Sequence, residues 1–374
     1  MRILHVLPAG EFGGAESQIL ALLQGLRALE FEVSVATYFH GEFSEKAQAS
    51  GIRVDVLQSG GMMADFRTLS TLATELRPDI IHTHGVRASV AGRRVGRRLS
   101  IKVVTTVHSD LFYDYASPLK RALFMGLESF TKQMSDRVIA VSQPLRHTLI
   151  GRGYRPSQVT VIENGMDVDR ALSSIAQATK VPVDLRGEVG IPQDAAIVIC
   201  VARLHPVKRH DVLIDAVARC ADDRGADIHL VLVGDGSECV LLEERAKQKA
   251  PGRVHFLGVR QDVFGLLLAS DIFALTSQME GMPISVLEAM LAELPVVASR
   301  VGGLVDVIAE GERGTGILVP VGDVQAVADA ILRLASQRDR ATNMGRAGRA
   351  VVLSRFSLTR MAQQTADLYR ELQK

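Results

Sequence analysis

Twelve short apolar runs, each followed by an amphipathic stretch, constrain this chain more than any other feature of it. They fall at residues 2–7, 32–37, 80–83, 103–108, 137–142 and 159–162, and again at 196–202, 228–233, 254–257, 271–275, 295–298 and 316–319. A run such as Ala196-Ile197-Val198-Ile199-Cys200-Val201-Ala202 shows no polar alternation, which marks a strand buried on both faces, as in a parallel sheet covered by helices. The alternation predicts doubly wound α/β layers, and it occurs twice. Between the two sets the stretch 165–190 loses periodicity and scatters Ser, Thr, Pro and Gly. A chain of 374 residues also exceeds what one hydrophobic core usually serves. The expected division is a first domain at 1–170, a linker at 171–190 and a second domain at 191–355. The tail, 356–374, reads as an amphipathic helix with no strand after it, and is expected to pack back on the first domain.

Charge is balanced, with 43 Lys and Arg against 42 Asp and Glu, and there is no Trp. Global electrostatics therefore give no reason to expect nucleic acid as a partner. Cys200, Cys220 and Cys239 are odd in number and form no CxxC pair, which points to a reducing compartment and away from structural zinc. The first apolar run ends at Pro8 and leads to Glu11 and a Gly pair, so it reads as a strand and not as a signal peptide. A cytoplasmic location is expected, with peripheral contact at the inner face of the membrane left open.

The densest chemistry lies at Glu280-Gly281-Met282-Pro283-Ile284-Ser285-Val286-Leu287-Glu288. The preceding run reads as a buried strand and 284–291 as a helix, which places a loop end at a helix N-terminus. Unpaired N–H groups and the positive end of the dipole favour a diphosphate there. Carboxylates would repel a phosphate, so Glu280 and Glu288 suit hydroxyl groups, such as those of a sugar and a ribose. Arg203 and Lys208 follow the carboxyl end of the 196–202 strand and supply the positive charge that two adjacent phosphates require.

With these residues stand Gly13-Gly14-Ala15-Glu16, His82-Thr83-His84, Thr106-Val107-His108, Ile162-Glu163-Asn164-Gly165, Gly234-Asp235-Gly236 and Val301-Gly302-Gly303-Leu304-Val305-Asp306. Taken in order, the motifs resemble those of retaining glycosyltransferases of family 4; Asp306 stands where that family often has Glu. The resemblance implies the GT-B fold, two Rossmann-like doubly wound domains facing across a cleft. It implies a donor site of Gly13, Gly14, Arg203, Lys208, Gly234, Arg260, Glu280, Gly281, Met282, Pro283, Ile284, Ser285 and Glu288. Catalysis falls to His108, Arg203, Lys208 and Glu280, with His108 on the donor sugar. Glu16 is assigned to the acceptor, or alternatively is a charge that stabilises its helix dipole. The nucleotide sugar is a substrate, so no cofactor is expected. No hydrolase-like pair of carboxylates is evident, and the family's proposed front-face course needs no metal. UDP-sugars are the favoured donors, UDP-N-acetylglucosamine or UDP-glucose, and GDP-mannose is next.

His82 and His84, two apart on one strand, are expected on opposite faces, and no metal is assigned to them. Arg87, Arg93, Arg94, Arg97, Arg98 and Lys102 form the one marked charge bias, a segment (Arg87 to Lys102) suited either to anionic lipid beside a lipid-linked acceptor or to plain solvation. Gly92 and Gly96 are expected to weaken a helix there. The first domain's loops near Glu11, Met62 and Tyr113 to Tyr115 are of kinds that vary with acceptor. Two other readings stand beside transfer: a nucleotide-sugar epimerase of the same fold, and a non-catalytic nucleotide-sugar sensor.

Overall fold

A computed structural model describes residues 1–8, 13–58, 60–114, 117–224, 226–311 and 313–374. Glu11 and Tyr115 lie outside the described residues. The chain divides into two compact units, Met1–Met166 with Leu358–Lys374, and Asp167–Ser357.

The first unit is built on a parallel sheet of β1 (Arg2–Leu7), β2 (Glu32–Thr37), β3 (Arg53–Val56), β4 (Ile80–His84), β5 (Lys102–Val107), β6 (Arg137–Ala140) and β7 (Val159–Val161), in the order β3-β2-β1-β4-β5-β6-β7. The strand β3 adds to the expected set. Its short Arg-Val-Asp-Val run lies at the sheet edge and is partly exposed, so it lacks the apolar signature of its neighbours. On one face of the sheet the helix Gly14–Ala28 buries Leu22, Leu23 and Leu26, and the C-terminal helix Leu358–Leu372 packs beside it with Met361, Ala362, Ala366 and Tyr369. Tyr369 also meets Phe31 edge to face, 5.9 Å between ring centroids.

The second unit carries β8 (Ala196–Val201), β9 (Ile228–Val233), β10 (Val254–Phe256), β11 (Ile272–Leu275), β12 (Val296–Ser299) and β13 (Gly316–Val319), parallel in the order β10-β9-β8-β11-β12-β13. All six residues of β9 are buried, His229 among them, as expected of a strand covered on both faces. The stretch expected to be a linker is instead helical, Val168–Lys180 and Leu185–Val189, and belongs to this unit. Asp167 and Asp184 cap these helices by accepting from Arg170 and Gly187 N–H, and Gly190 closes the second in the left-handed conformation. The scattered Ser and Thr that suggested a linker lie exposed or half-buried on a helix whose buried stripe is narrow.

The basic segment also differs from expectation. Arg93 is fully buried and donates to Glu128 at 2.7 Å and to Ser135 Oγ at 2.8 Å. Arg87 forks onto the buried Asp65 at 2.7 and 2.9 Å, and Lys102 pairs with Asp136. Arg94, Arg97 and Arg98 remain exposed, and Arg94 and Arg98 lie over the Phe66 ring. Gly92 and Gly96 do not weaken the helix Val86–Leu99; they let it sit down on the sheet, where a Cβ would come within 2.3 Å of Thr83 Cγ2 and 2.2 Å of Val103 Cγ2.

Candidate functional site

Each sheet reverses its winding once, between β1 and β4 and between β8 and β11, and ligands of open parallel sheets bind beyond the strand carboxyl ends at such a point. In the second unit this brings together residues far apart in sequence. β8 leads to Arg203 and Lys208, and β11 leads to the loop that ends in Glu280. The two loops are joined along their backbones: Gln278 N–H donates to Val207 O at 2.8 Å, and Thr276 Oγ1 donates to Arg209 O at 2.8 Å.

Lys208 Nζ then donates to Glu280 Oε1 at 2.6 Å, and Ser277 Oγ donates to the same oxygen at 2.5 Å. Glu280 is 8% exposed. Among the described residues its Oε2 makes no hydrogen bond, so the carboxylate is held by one oxygen and presents the other. An ammonium has three N–H donors, and one to Glu280 leaves two for another anion. Arg203 is exposed at the β8 end.

The Glu280 loop rests on Gly302 and Gly303. A Cβ on Gly302, whose φ is +46°, would fall 1.6 Å from Glu280 O, and Gly303 N–H donates to Gly281 O at 2.9 Å. Gly234 is similarly constrained, with φ +136° and a Cβ position 2.1 Å from Ala202 O, so the loops after β8 and β9 run in contact. Met282 and Pro283 are buried, and the helix Ile284–Leu291 begins after Pro283 with no side-chain cap. Ser285 in its first turn is half-buried, as is Glu288, whose carboxyl burial pushes up to about 7.

Arg260 sits otherwise than a side-chain ligand to phosphate would. Its guanidinium is forked onto Asp262 at 2.8 and 2.7 Å and onto Glu188 at 2.5 Å, which raises its pKa and commits most of its donors. His210, near Lys208, is buried with both ring nitrogens unpartnered among the described residues, and burial followed by the Lys208 charge pushes it down to about 4.

At the first unit's switch point the side chains are imidazoles. The expectation that His82 and His84 point to opposite faces is wrong: residues two apart on a strand share a face, and these rings lie 4.4 Å apart. His5 on β1 joins them, and the three rings place a nitrogen each within 4.8 Å of one another. That could suit a transition metal, yet every nitrogen except His5 Nε2 is already hydrogen-bonded to a neighbour. His82 bonds Tyr369 Oη at 2.5 Å and Thr106 Oγ1 at 2.7 Å, which ties the C-terminal helix to the sheet. His84 Nδ1 meets His108 Nε2 at 3.1 Å.

His84 and His108 line a pocket with Gln18, Thr106, Asn164 and Thr365, and Gln18 Oε1 and His108 Nδ1 are buried there without partners among the described residues. Glu16 caps its own helix, its Oε2 accepting from Gly13 N–H at 3.1 Å. A Cβ on Gly14 would meet no described atom within 4 Å.

Sequence reasoning named Lys208 and Glu280 but missed Ser277, three residues before Glu280 in the same loop. It quoted Gly302-Gly303 without a role, although a Gly pair after a strand signals close backbone approach. His5, a lone histidine in an apolar strand, and Tyr369 and Gln18, in ordinary helical positions, gave no signal.

Residues 12–170 match the family described as Glycosyltransferase Family 4, and residues 184–351 match Glycosyl transferases group 1. N-acetyl-alpha-D-glucosaminyl L-malate synthase of Bacillus anthracis is 31% identical over 305 residues, covering 79% of this chain and 75% of that protein. UDP-Gal:alpha-D-GlcNAc-diphosphoundecaprenol alpha-1,3-galactosyltransferase of Escherichia coli is 25% identical and covers 96% of both. Among solved structures, Anabaena HepE in complex with UDP-glucose superposes with a TM-score of 0.84 at 26% identity, over 99% of this chain and 100% of that one.

Proposed function

This chain belongs to glycosyltransferase family 4 and has the GT-B fold, and from that premise we propose that it moves a sugar from a UDP-sugar to an acceptor hydroxyl with retention at the anomeric carbon, GDP-mannose being the next donor to consider. The observation that carries the reading is the Glu280 carboxylate, held on one oxygen by Lys208 and Ser277 at the β8/β11 switch point, with its second oxygen unbonded among the described residues. A UDP-sugar is favoured because the E. coli relative is named for a UDP-galactose donor and the Anabaena neighbour was crystallised with UDP-glucose.

In this reading Glu280 Oε2 accepts from a sugar hydroxyl and orients the ring. Lys208, Arg203 and the N–H groups at the start of the helix Ile284–Leu291 face the departing diphosphate. Charge grows on that group as the glycosidic bond breaks, so fixed donors stabilise the transition state more than the bound donor. These cations make a metal unnecessary. Glu288 holds the ribose, and a carboxyl pushed to about 7 either donates or accepts at neutral pH. The acceptor hydroxyl attacks from the leaving-group side and its proton passes to a diphosphate oxygen.

Thermal stability measured against UDP-, GDP- and ADP-sugars tests the donor: a ligand at about 100 times its Kd adds about 2.7 kcal/mol. A UDP-sugar shift that vanishes in Lys208→Ala supports the site, and no shift with any donor sinks it. The anomeric configuration of the product by NMR tests retention.

A lipid-linked acceptor in cell-surface glycan assembly, met at an anionic membrane, is the proposed setting. Arg94, Arg97 and Arg98 are exposed, and the neighbouring helix Pro118–Thr131 leaves Leu119 and Phe130 81% and 80% exposed. Flotation with anionic but not neutral vesicles, reduced in the triple Arg→Ala variant, is the expected result; equal flotation with both would remove the basic residues from the account.

A further inference from the structure

The first unit contains three imidazoles in series. His5 Nδ1 lies 3.0 Å from His84 Nε2, and His84 Nδ1 lies 3.1 Å from His108 Nε2. The rings of each pair are stacked with centroids 5.3 Å apart. Burial pushes His5 down to about 3 and His108 to about 4 and holds His84 well below its ordinary value, so all three are neutral near pH 7.

A neutral imidazole carries one N–H and one bare nitrogen. Each contact therefore needs an N–H on one side and a bare nitrogen on the other. If His5 donates from Nδ1, His84 accepts at Nε2 and keeps its proton on Nδ1. His108 then accepts at Nε2 and also keeps its proton on Nδ1. The opposite choice puts all three protons on Nε2. No mixed arrangement satisfies both contacts.

We infer that His5, His84 and His108 form a relay locked into one common tautomer, in which His84 and His5 are positioning residues that decide whether His108 offers its ligand a donor or an acceptor. The ring atom of His108 left for a ligand is Nδ1, because His84 occupies Nε2. Nδ1 is buried and, among the described residues, unpartnered in the pocket that Gln18 and Asn164 also line, where a sugar hydroxyl or a water would find it. The role in substrate binding rests on the reading of His108 given above; the shared tautomer does not.

Protein grown with isotopically labelled histidine, examined by long-range proton–nitrogen correlation, reports the tautomer of each ring. His5, His84 and His108 should share one form. His5→Leu should release His84 Nε2, let His84 and His108 populate both forms, and lower kcat/KM about tenfold, the worth of one neutral hydrogen bond. His5→Asn, whose amide can donate or accept, should restore both readouts. Melting curves separate these effects from misfolding, and the wild-type spectrum stands even if a variant fails to fold. Mixed tautomers in the wild type overturn the relay. So does a spectrum that changes on adding zinc or a chelator, which would make His5, His82 and His84 a metal site. An unchanged tautomer in folded His5→Leu also overturns it. A shared tautomer together with normal turnover in His108→Ala upholds the relay and overturns the substrate contact.

Discussion

At its switch point the second unit gathers charge: Lys208 from the loop after β8 meets Glu280 from the loop after β11 at 2.6 Å. The first unit gathers neutral imidazoles at its own, with His5, His84 and His108 in series and His82 bonded to Tyr369 of the C-terminal helix. The topology is the same and the chemistry is opposite. A charged pair at a half-open loop keeps spare donors and acceptors for a ligand. Buried imidazoles must satisfy one another, so their order fixes the orientation of the one atom that remains. The second unit thus keeps charge at its strand ends, and the first keeps neutral groups that bond mainly to one another.

Substitutions that act on one side alone would sharpen that division, and the largest effect belongs to the charged side. Glu280→Ala should cost about 100-fold or more in turnover, since an orienting hydrogen bond to substrate is lost. Steady-state kinetics at near-normal rate would break the comparison by removing its central residue. Next is Gly302→Ala, which sets a methyl 1.6 Å from Glu280 O at a φ of +46°. The expected loss is about 1–3 kcal/mol in thermal unfolding together with reduced turnover, because the Glu280 loop must shift. A stable variant with full activity would show that this platform does not hold Glu280.

On the imidazole side, Tyr369→Phe removes the hydroxyl bonded to His82. It should lower stability by about 1 kcal/mol and leave donor affinity unchanged. A raised donor Kd in calorimetry would show that the two units are not separable in this way. In acid the smallest effect is expected for Glu288→Gln. Folding raises the Glu288 carboxyl from the ordinary 4.5 to about 7, so the folded chain holds that proton more tightly than the unfolded chain. Its contribution is complete below the ordinary value and is lost as pH rises through about 7. Glu288→Gln should therefore match wild type below about pH 4.5, gain on it in stability as pH rises from there to about 7, and keep that lead above it. Parallel melting curves at all pH values would show an unshifted carboxyl.

The charged site was largely legible because its residues lie in contiguous motifs at the ends of strands whose apolar runs announce them. Lys208, Glu280 and Gly281 could be named from strand, loop and helix alone. Arg260 could not be judged that way, since its partner Glu188 lies in a segment whose helices were masked by exposed Ser and Thr. The imidazole site was mostly illegible. His108 was found by its place after β5, but its chain of contacts draws on β1 and β4, and the His82 anchor draws on a helix 287 residues away. The error over His82 and His84 was one of strand geometry, and it hid a cluster that their spacing does imply.

The two doubly wound sheets, the position of the strand ends and the residue types gathered there were written in the sequence, because burial on both faces and turn chemistry are local properties. Only the tertiary structure decided which of those groups are spent on one another. Arg93 and Arg87 are consumed by Glu128 and Asp65, Arg260 by Asp262 and Glu188, and His84 by its two neighbours. A polar side chain drawn into a folded chain must find a partner or lose its hydration, and the identity of that partner is set by strand order and helix packing at distances that no local pattern records.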